Sequence, residues 1–406
     1  MANTLLTISM ITREALRVLE NNLTFTKYVR RDFDDEYGRA GAKIGTVLNI
    51  RKPPRYVGRV GQALQLEDAT ETSVPLTLNV QRGVDIIFSS QDLALSIDDF
   101  SERFIMPAIA NVANGIDFDG LSQYLNVYNE IGTPGTVPNQ LLTYLQAGQR
   151  LDEEAAPRDK DRALVVSPAM QAVIVDALKG LFHDASDIEK QYSEGTMGRT
   201  IGFKWSMDQN VRVQTVGAYG GVVGTINAAN QTGSAITTSG WTANAAILNQ
   251  GDSVSFQGTF AVNPQNKQST GSLRQFVVTQ NVVANGSGVA TIPISGPGGL
   301  GIILAGPFQT VTASPTNGAA INIQGTSGTS SPRGLAFHKD AFAFGCADLP
   351  LPGGVDIADR VSDKQLGCSI RLVRAYDINT DRFPTRLDIL YGWTTLYPEL
   401  ATRIAS

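Results

Sequence analysis

The chain has 406 residues and 42% apolar side chains, enough for two or three domains with sizeable cores and too apolar for a disordered polypeptide. Its net charge of −5 and pI near 5.2 argue against a globally basic nucleic-acid binder. Two cysteines, Cys346 and Cys368, make no disulfide framework and fit a reducing compartment as small buried thiols.

No run approaches the ~20 consecutive apolar residues of a membrane span, so no membrane is expected. Arg13, Glu14 and Arg17 follow Leu5 and Leu6 too closely for the apolar core of a signal peptide. Residues 9–21 read as a short amphipathic helix with Thr12, Leu16 and Leu19 at helical spacing. So short a helix is marginal alone, and Leu16 and Leu19 are expected to need a partner surface, on another subunit. The mixed charges from Arg30 to Glu36 read as a solvated linker.

From 43 to 88 the pattern is a long hairpin. Ile44, Leu48 and Ile50 alternate on one arm, and Val74, Leu76, Leu78 and Val80 on the other. Its polar tip segregates charge: Arg51, Lys52, Arg55 and Arg59 come first, then Glu67, Asp68 and Glu71. A projecting tip of ~20 residues exceeds the loops of compact monomers, and these seven charges are expected to meet carboxylates and cations on a neighbouring copy.

Residues 96–128 carry the longest helical pattern, with a capping box at Ser96 and Asp99, a bend expected at Pro107, and weakening at Gly115 and Gly120. After a loop at 129–138, an α/β stretch is expected: helix 139–151, strand 163–166 and helix 168–178, with Ser167 and Pro168 as N-cap and first helical residue. A less regular segment runs 182–216.

Composition changes at Gly217. To 321 the chain is Gly, Ala, Asn, Gln, Ser and Thr with short β-branched runs, and its only charges are Asp252, Lys267 and Arg274. Strands are expected at 235–238, 253–260, 274–283, 288–294 and 308–313, forming a small antiparallel barrel inserted into an α/β host. Strand patterns at 336–344 and 386–396 end the chain, the second alternating Leu387, Ile389, Tyr391 and Trp393.

The inventory for catalysis is thin, and no catalytic, cofactor or metal residue is assigned. His183 with Asp184 and Asp187 lacks a ligand motif, and His338 beside Lys339 and Asp340 reads as structural. The glycine-rich runs 217–224 and 296–301 lack the context of a phosphate cradle, and Ser167 and Cys346 lack that of a nucleophile. Asp152, Glu153 and Glu154 sit in a charged helix end.

The "FHKDAF" strand at Phe337–Phe342, the P-x-P-G-G turn at Pro350–Gly354 and the terminal R-x-D-I-L-Y-G…P-E run from Arg386 to Glu399 resemble the major coat proteins of tailed double-stranded-DNA phages. The order of parts resembles the Hong Kong-type capsid fold, and the inserted barrel is similar to the short-tailed-phage subfamily with an extra "I" domain. The resemblance implies an α+β fold: an N-arm (1–35), an extended loop (36–90), a peripheral domain with a spine helix (91–135), an axial domain (136–216 and 323–373), the insert (217–322), and C-terminal strands returning to the peripheral domain (374–406).

It also implies a structural subunit that self-assembles into hexamers and pentamers with a scaffolding protein and a portal. The shell would enclose packaged DNA without specific binding, expand from a procapsid in the host cytoplasm, and accept a decoration protein. The insert's loop 263–272 departs from the family's charged pattern, offering only Lys267. Other readings are a nanocompartment shell on the same fold, another phage assembly protein, and, more remotely, a glycan hydrolase with a β module.

Overall fold

The computed structural model describes residues 16–17, 19, 23–31, 47–59, 61–64, 66–89, 106–178, 198–363 and 368–406. The capping box at 96–99 and the His183 cluster lie outside them. Helical residues Leu16, Arg17 and Leu19 and a 3-10 turn, Phe25–Tyr28, come first. Strands β1 (Val47–Lys52), β2 (Thr72–Thr77) and β3 (Val80–Ser89) precede helix α1 (Met106–Leu121). Then come β4 (Glu130–Ile131), α2 (Leu141–Glu153), β5 (Arg162–Val166) and α3 (Pro168–Leu178).

Strands β6 (Arg199–Thr200), β7 (Phe203–Met207) and β8 (Val213–Thr215) lead into the strands of the glycine-rich region. These are β9 (Thr225–Ile226), β10 (Ala235–Ser239), β11 (Ala246–Leu248), β12 (Ser253–Val262), β13 (Ser269–Val278), β14 (Val282–Val283), β15 (Ala290–Ser295) and β16 (Ile321–Ile323). The chain closes with β17 (Ser330–His338), β18 (Phe342–Ala347), β19 (Ile357–Asp363), β20 (Cys368–Arg374), β21 (Arg382–Thr395) and β22 (Ala401–Ala405).

Two compact units share the chain. The first comprises Met1–Ile50, Ser73–Gly120 and Ala343–Thr394; the second holds the remainder.

In the first unit β18, β21, β20 and β19 form a sheet in that order, and β3 pairs antiparallel with β21 from Val80 opposite Tyr391 to Ser89 opposite Arg382. The second arm of the expected hairpin is therefore divided: β2 pairs β1, while Val80 begins a strand of the sheet. The expected alternation on β21 buries Leu387, Ile389 and Tyr391. On α1 the apolar stripe Ile109, Val112, Ala113 and Ile116 is buried. Pro107 is the second residue of this helix as described, and the helix ends at Leu121, followed by the 3-10 turn Ser122–Asn126.

The glycines that weaken α1 have a use. A Cβ on Gly120 would lie 2.7 Å from the Trp393 ring and 2.8 Å from that of Phe25. Those rings pack with centroids 5.4 Å apart. Gly392 has the same role on β21, where an added Cβ would stand 2.0 Å from the Thr77 carbonyl oxygen. Gly392→Ala is expected to destabilise the unit by about 1–3 kcal/mol through this backbone clash. Thermal melting checks this; an unchanged midpoint would mean the contact yields freely.

In the second unit, the sheet order is β4-β22-β17-β5-β7-β6, with β8 also pairing β17. The last strand, β22, lies inside this sheet between β4 and β17, and all five of its residues are buried. The segment 374–406 thus divides between the two units, with β21 in the sheet of the first and β22 in the sheet of the second. Helix α3 begins as expected, with Met170 N donating to Ser167 Oγ at 3.3 Å. Its Met170 and Ile174 join Tyr144, Leu151, Leu164, Phe203 and Trp205 in one core.

The expected strand 336–344 is broken by the 3-10 turn Lys339–Ala341. His338 Nδ1 accepts from Asp340 N there, a side-chain cap that competes with the ladder.

Residues 225–323 form a second sheet, β16-β12-β13-β15-β10-β9, and the pair β11-β14. They have an apolar core of their own that includes Trp241, Phe256, Phe276, Ile292 and Ile294. The expected strand 274–283 is divided between β13 and β14. No strand forms at 308–313, where Val311 makes only an isolated bridge to Ala261.

All three charges of this glycine-rich region have internal partners. Asp252 accepts from Gly217 N at 2.9 Å and Gln214 Nε2 at 3.0 Å. Lys267 Nζ donates to Pro307 O at 2.6 Å. Arg274 pairs with Glu154, both nearly excluded from water, and donates to Thr310 O and Val262 O.

Candidate functional site

The charged loop at 51–72 belongs wholly to the second unit. It leaves β1 through Pro53 and Pro54, whose rings fix φ and stiffen the path to Arg55. Arg55 donates to Glu399 Oε1 and lies over the Phe308 ring, 5.9 Å from its centroid. The Lys52 ammonium stands 4.9 Å from the centre of Tyr397. Burial pushes the Lys52 pKa down, and the Glu399 carboxylate opposes that shift.

Beyond Arg55 every described residue through Glu71 is exposed. The tip is closed by Glu67, which accepts from Val57 N at 2.7 Å and Gly58 N at 2.8 Å. Gly58 and Gly61, at φ of 78° and 97°, supply the left-handed backbone of the turn. Arg59 Nη1 donates to Gly61 O. Leu64 and Leu66 stand 77% and 88% exposed, beside Tyr56 and Val57 at about half.

The nine residues expected to face a neighbour thus divide. Arg51 and Glu71 lie 4.0 Å apart on the loop, both well exposed, and Asp68 is exposed. Lys52, Arg55, Arg59 and Glu67 already have partners in their own chain. Leu16 and Leu19 are 6% and 0% exposed, so the chain itself covers them without a neighbour. Glu399 is the residue that sequence reasoning missed. It sits in the Y-P-E run, but nothing local marks it as the partner of a residue 344 positions away.

His338 Nε2 lies 3.0 Å from Asp159 Oδ2. The described residues hold no cluster of three or more metal-ligating side chains. A cavity of about 370 Å³ is walled by Gln146, Gln149, Arg150, Gln275 and Gln324 next to Glu130. Its amides cap the open edge of β4: Gln275 exchanges two hydrogen bonds of 2.9 Å with the Glu130 backbone, and Gln324 Nε2 donates to Gly132 O at 2.6 Å.

In the acidic helix end, Glu154 pairs with Arg274, and Asp152 accepts from Arg158 Nε at 2.9 Å and Arg162 Nη2 at 2.8 Å. Burial alone raises the Asp152 pKa, but the two guanidiniums outweigh it and hold the carboxyl below its ordinary value. A depressed carboxyl contributes stability above its unfolded pKa of ~3.9 and loses it as pH falls through the lower folded value. Asp152→Asn is therefore expected to flatten the loss of stability below about pH 4 in urea melts. An unchanged acid limb contradicts this.

A family profile described as "P22 coat protein - gene protein 5" matches residues 70–403. Among solved structures, a chain of Mycobacterium phage Che8 is 11% identical, with 95% of this chain and 92% of that one covered at a TM-score of 0.47. The capsid of cyanophage P-SCSP1u is 10% identical, covering 89% and 83% at 0.42. The mature capsid of bacteriophage PhiM1 is 11% identical, covering 89% and 82% at 0.41. No curated protein sequence matches the chain. No described helix is long and apolar enough to cross a membrane.

The class defined is that of a structural capsid subunit of the virion, not an enzyme. Within it, the chain belongs to the P22 coat protein family, whose profile spans most of its length.

Proposed function

We propose that copies of this chain assemble through the 51–72 loop into the hexamers and pentamers of an icosahedral shell. The supporting observation is the loop itself. It presents Leu64 and Leu66 to water beside Tyr56 and Val57, between a basic flank (Arg51, Arg59) and an acidic one (Asp68, Glu71). A segment carrying both signs around an apolar tip is complementary to another copy of itself. Many such weak contacts, repeated by symmetry, hold a closed lattice.

In this reading the first unit is the peripheral domain and residues 217–322 are an inserted β-barrel in the axial domain. The fully buried β22 supports giving the last strand to the axial sheet. The N-arm is 1–35, and 36–90 carries the extended loop, whose last residues 80–89 pair with β21. Assembly runs from a scaffolded procapsid in the host cytoplasm to an expanded head with a portal and a place for a decoration protein. The acidic chain lets packaged DNA slide without specific binding.

Electron microscopy of the chain expressed with and without a scaffolding protein tests the reading. Closed shells are expected; soluble monomers under every condition overturn it.

A further inference from the structure

We infer that Arg55 and Glu399 form an elbow lock that fixes where the assembly loop points. This inference rests on the loop being an assembly element and names how that element is held.

The Glu399 side chain is 4% exposed, and each oxygen has one donor: Arg55 at Oε1 and Gly298 N at 3.0 Å from Oε2. A buried carboxylate needs a compensating cation. Glu154, whose carboxyl feels the Glu399 charge, is already paired with Arg274. Arg55 is the salt-bridge partner of Glu399 among the described residues, and both it and Lys52, whose ammonium also feels that carboxylate, come from the loop.

The loop's own chemistry makes the contact directional. Pro53 and Pro54 leave little rotational freedom between β1 and Arg55, so pinning the guanidinium pins the arm. Phe308 beneath Arg55 and Tyr397 beneath Lys52 give the two cations flat aromatic seats. Past this point the described residues of the tip are tied within the tip, by Glu67 across Val57 and Gly58 and by Arg59 to Gly61. The result is an anchored base carrying a self-closed tip. Arg55 and Glu399 are positioning residues, and the tip leucines make the contact with a second copy.

The test uses the full-length chain as soluble subunits. Arg55→Ala removes the lock but leaves a buried carboxylate without its salt bridge, so Arg55→Ala/Glu399→Gln is the decisive variant, since it removes the charge and keeps an acceptor for Gly298. Limited proteolysis reads cleavage within 56–71, and thermal melting checks the body of the fold. The double variant is expected to melt like the parent, to be cut about tenfold faster in the loop, and to yield about tenfold fewer closed shells. Arg55→Lys, keeping the charge without the fork, is expected to fall between.

Loop cleavage at the parental rate in the double variant overturns the lock. So does a parental shell yield despite faster cleavage. If the parent itself forms no shells, the assembly reading fails, and the lock is judged on the cleavage rate alone.

Discussion

Replacing Glu130 with alanine is expected to cost about 3–5 kcal/mol, a large share of the ~5–15 kcal/mol that holds a domain folded. Glu130 lies on β4 at the edge of the central sheet, with its side chain 2% exposed. Its two oxygens face two arginines: Arg333 Nε on β17 at 3.0 Å and Arg403 Nη2 on β22 at 2.7 Å. Both arginines are almost wholly excluded from water. Further partners hold their guanidiniums, with Arg403 donating to Gly251 O and Arg333 to Ser331. Removing the glutamate leaves two cations against each other in a dry site.

Burial lowers the Arg333 pKa even with the glutamate present, and Arg403 lowers it further by like-charge repulsion. The control is the triple replacement Glu130→Met/Arg333→Leu/Arg403→Met, expected to lie within a few kcal/mol of the parent on either side. Urea unfolding measures both. A Glu130→Ala chain as stable as the parent would show that water reaches the cluster.

Sequence and structure agree where the pattern is local. The alternation of Leu387, Ile389 and Tyr391 does form the long strand β21, and Ser167-Pro168 does open α3. The sharp fall in charge at Gly217 marks a region with a separate sheet and core because few charges are needed where side chains face an apolar interior. Local reading fails where one polar side chain redirects the backbone. The apolar run around Phe337 hides a turn that His338 caps, and Val80 continues a hairpin pattern but joins another sheet.

It fails most at the candidate site. The charges of the loop are legible as a segregated run, and the conclusion that a neighbour must satisfy them all does not follow. Arg55 finds Glu399, and Glu67 finds two backbone amides. The triad of Glu130, Arg333 and Arg403 is equally hidden, because side chains this distant in sequence meet only through sheet register. In one sequence, such a triad looks like three unremarkable charges far apart along the chain.

Asp117→Ala is expected to cost about 3 kcal/mol or more and to release the chain that precedes residue 24 from the first unit. Asp117 stands on α1 and is 2% exposed. Its Oδ2 accepts from Thr24 N at 2.5 Å and Phe25 N at 3.3 Å, and its Oδ1 from Thr26 N at 3.1 Å and Thr26 Oγ1 at 2.7 Å. One carboxylate thus satisfies the three backbone donors that open the Phe25–Tyr28 turn, as an N-cap would, but from another element.

Asparagine is no substitute, since both oxygens accept and an amide NH₂ would point one donor at others. Asp117→Asn is therefore expected to lose nearly as much as alanine. Burial raises the Asp117 pKa despite these four donors. A carboxyl raised in the folded chain favours folding below its unfolded value, and that contribution is lost as pH rises through the folded one, a trend opposite to that of Asp152. Replacing Asp117 should remove this part of the profile. Hydrogen exchange at Thr24, Phe25 and Thr26 is the direct measurement: all three amides should lose protection together in both variants, and protection retained in Asp117→Ala would mean that other contacts hold the turn.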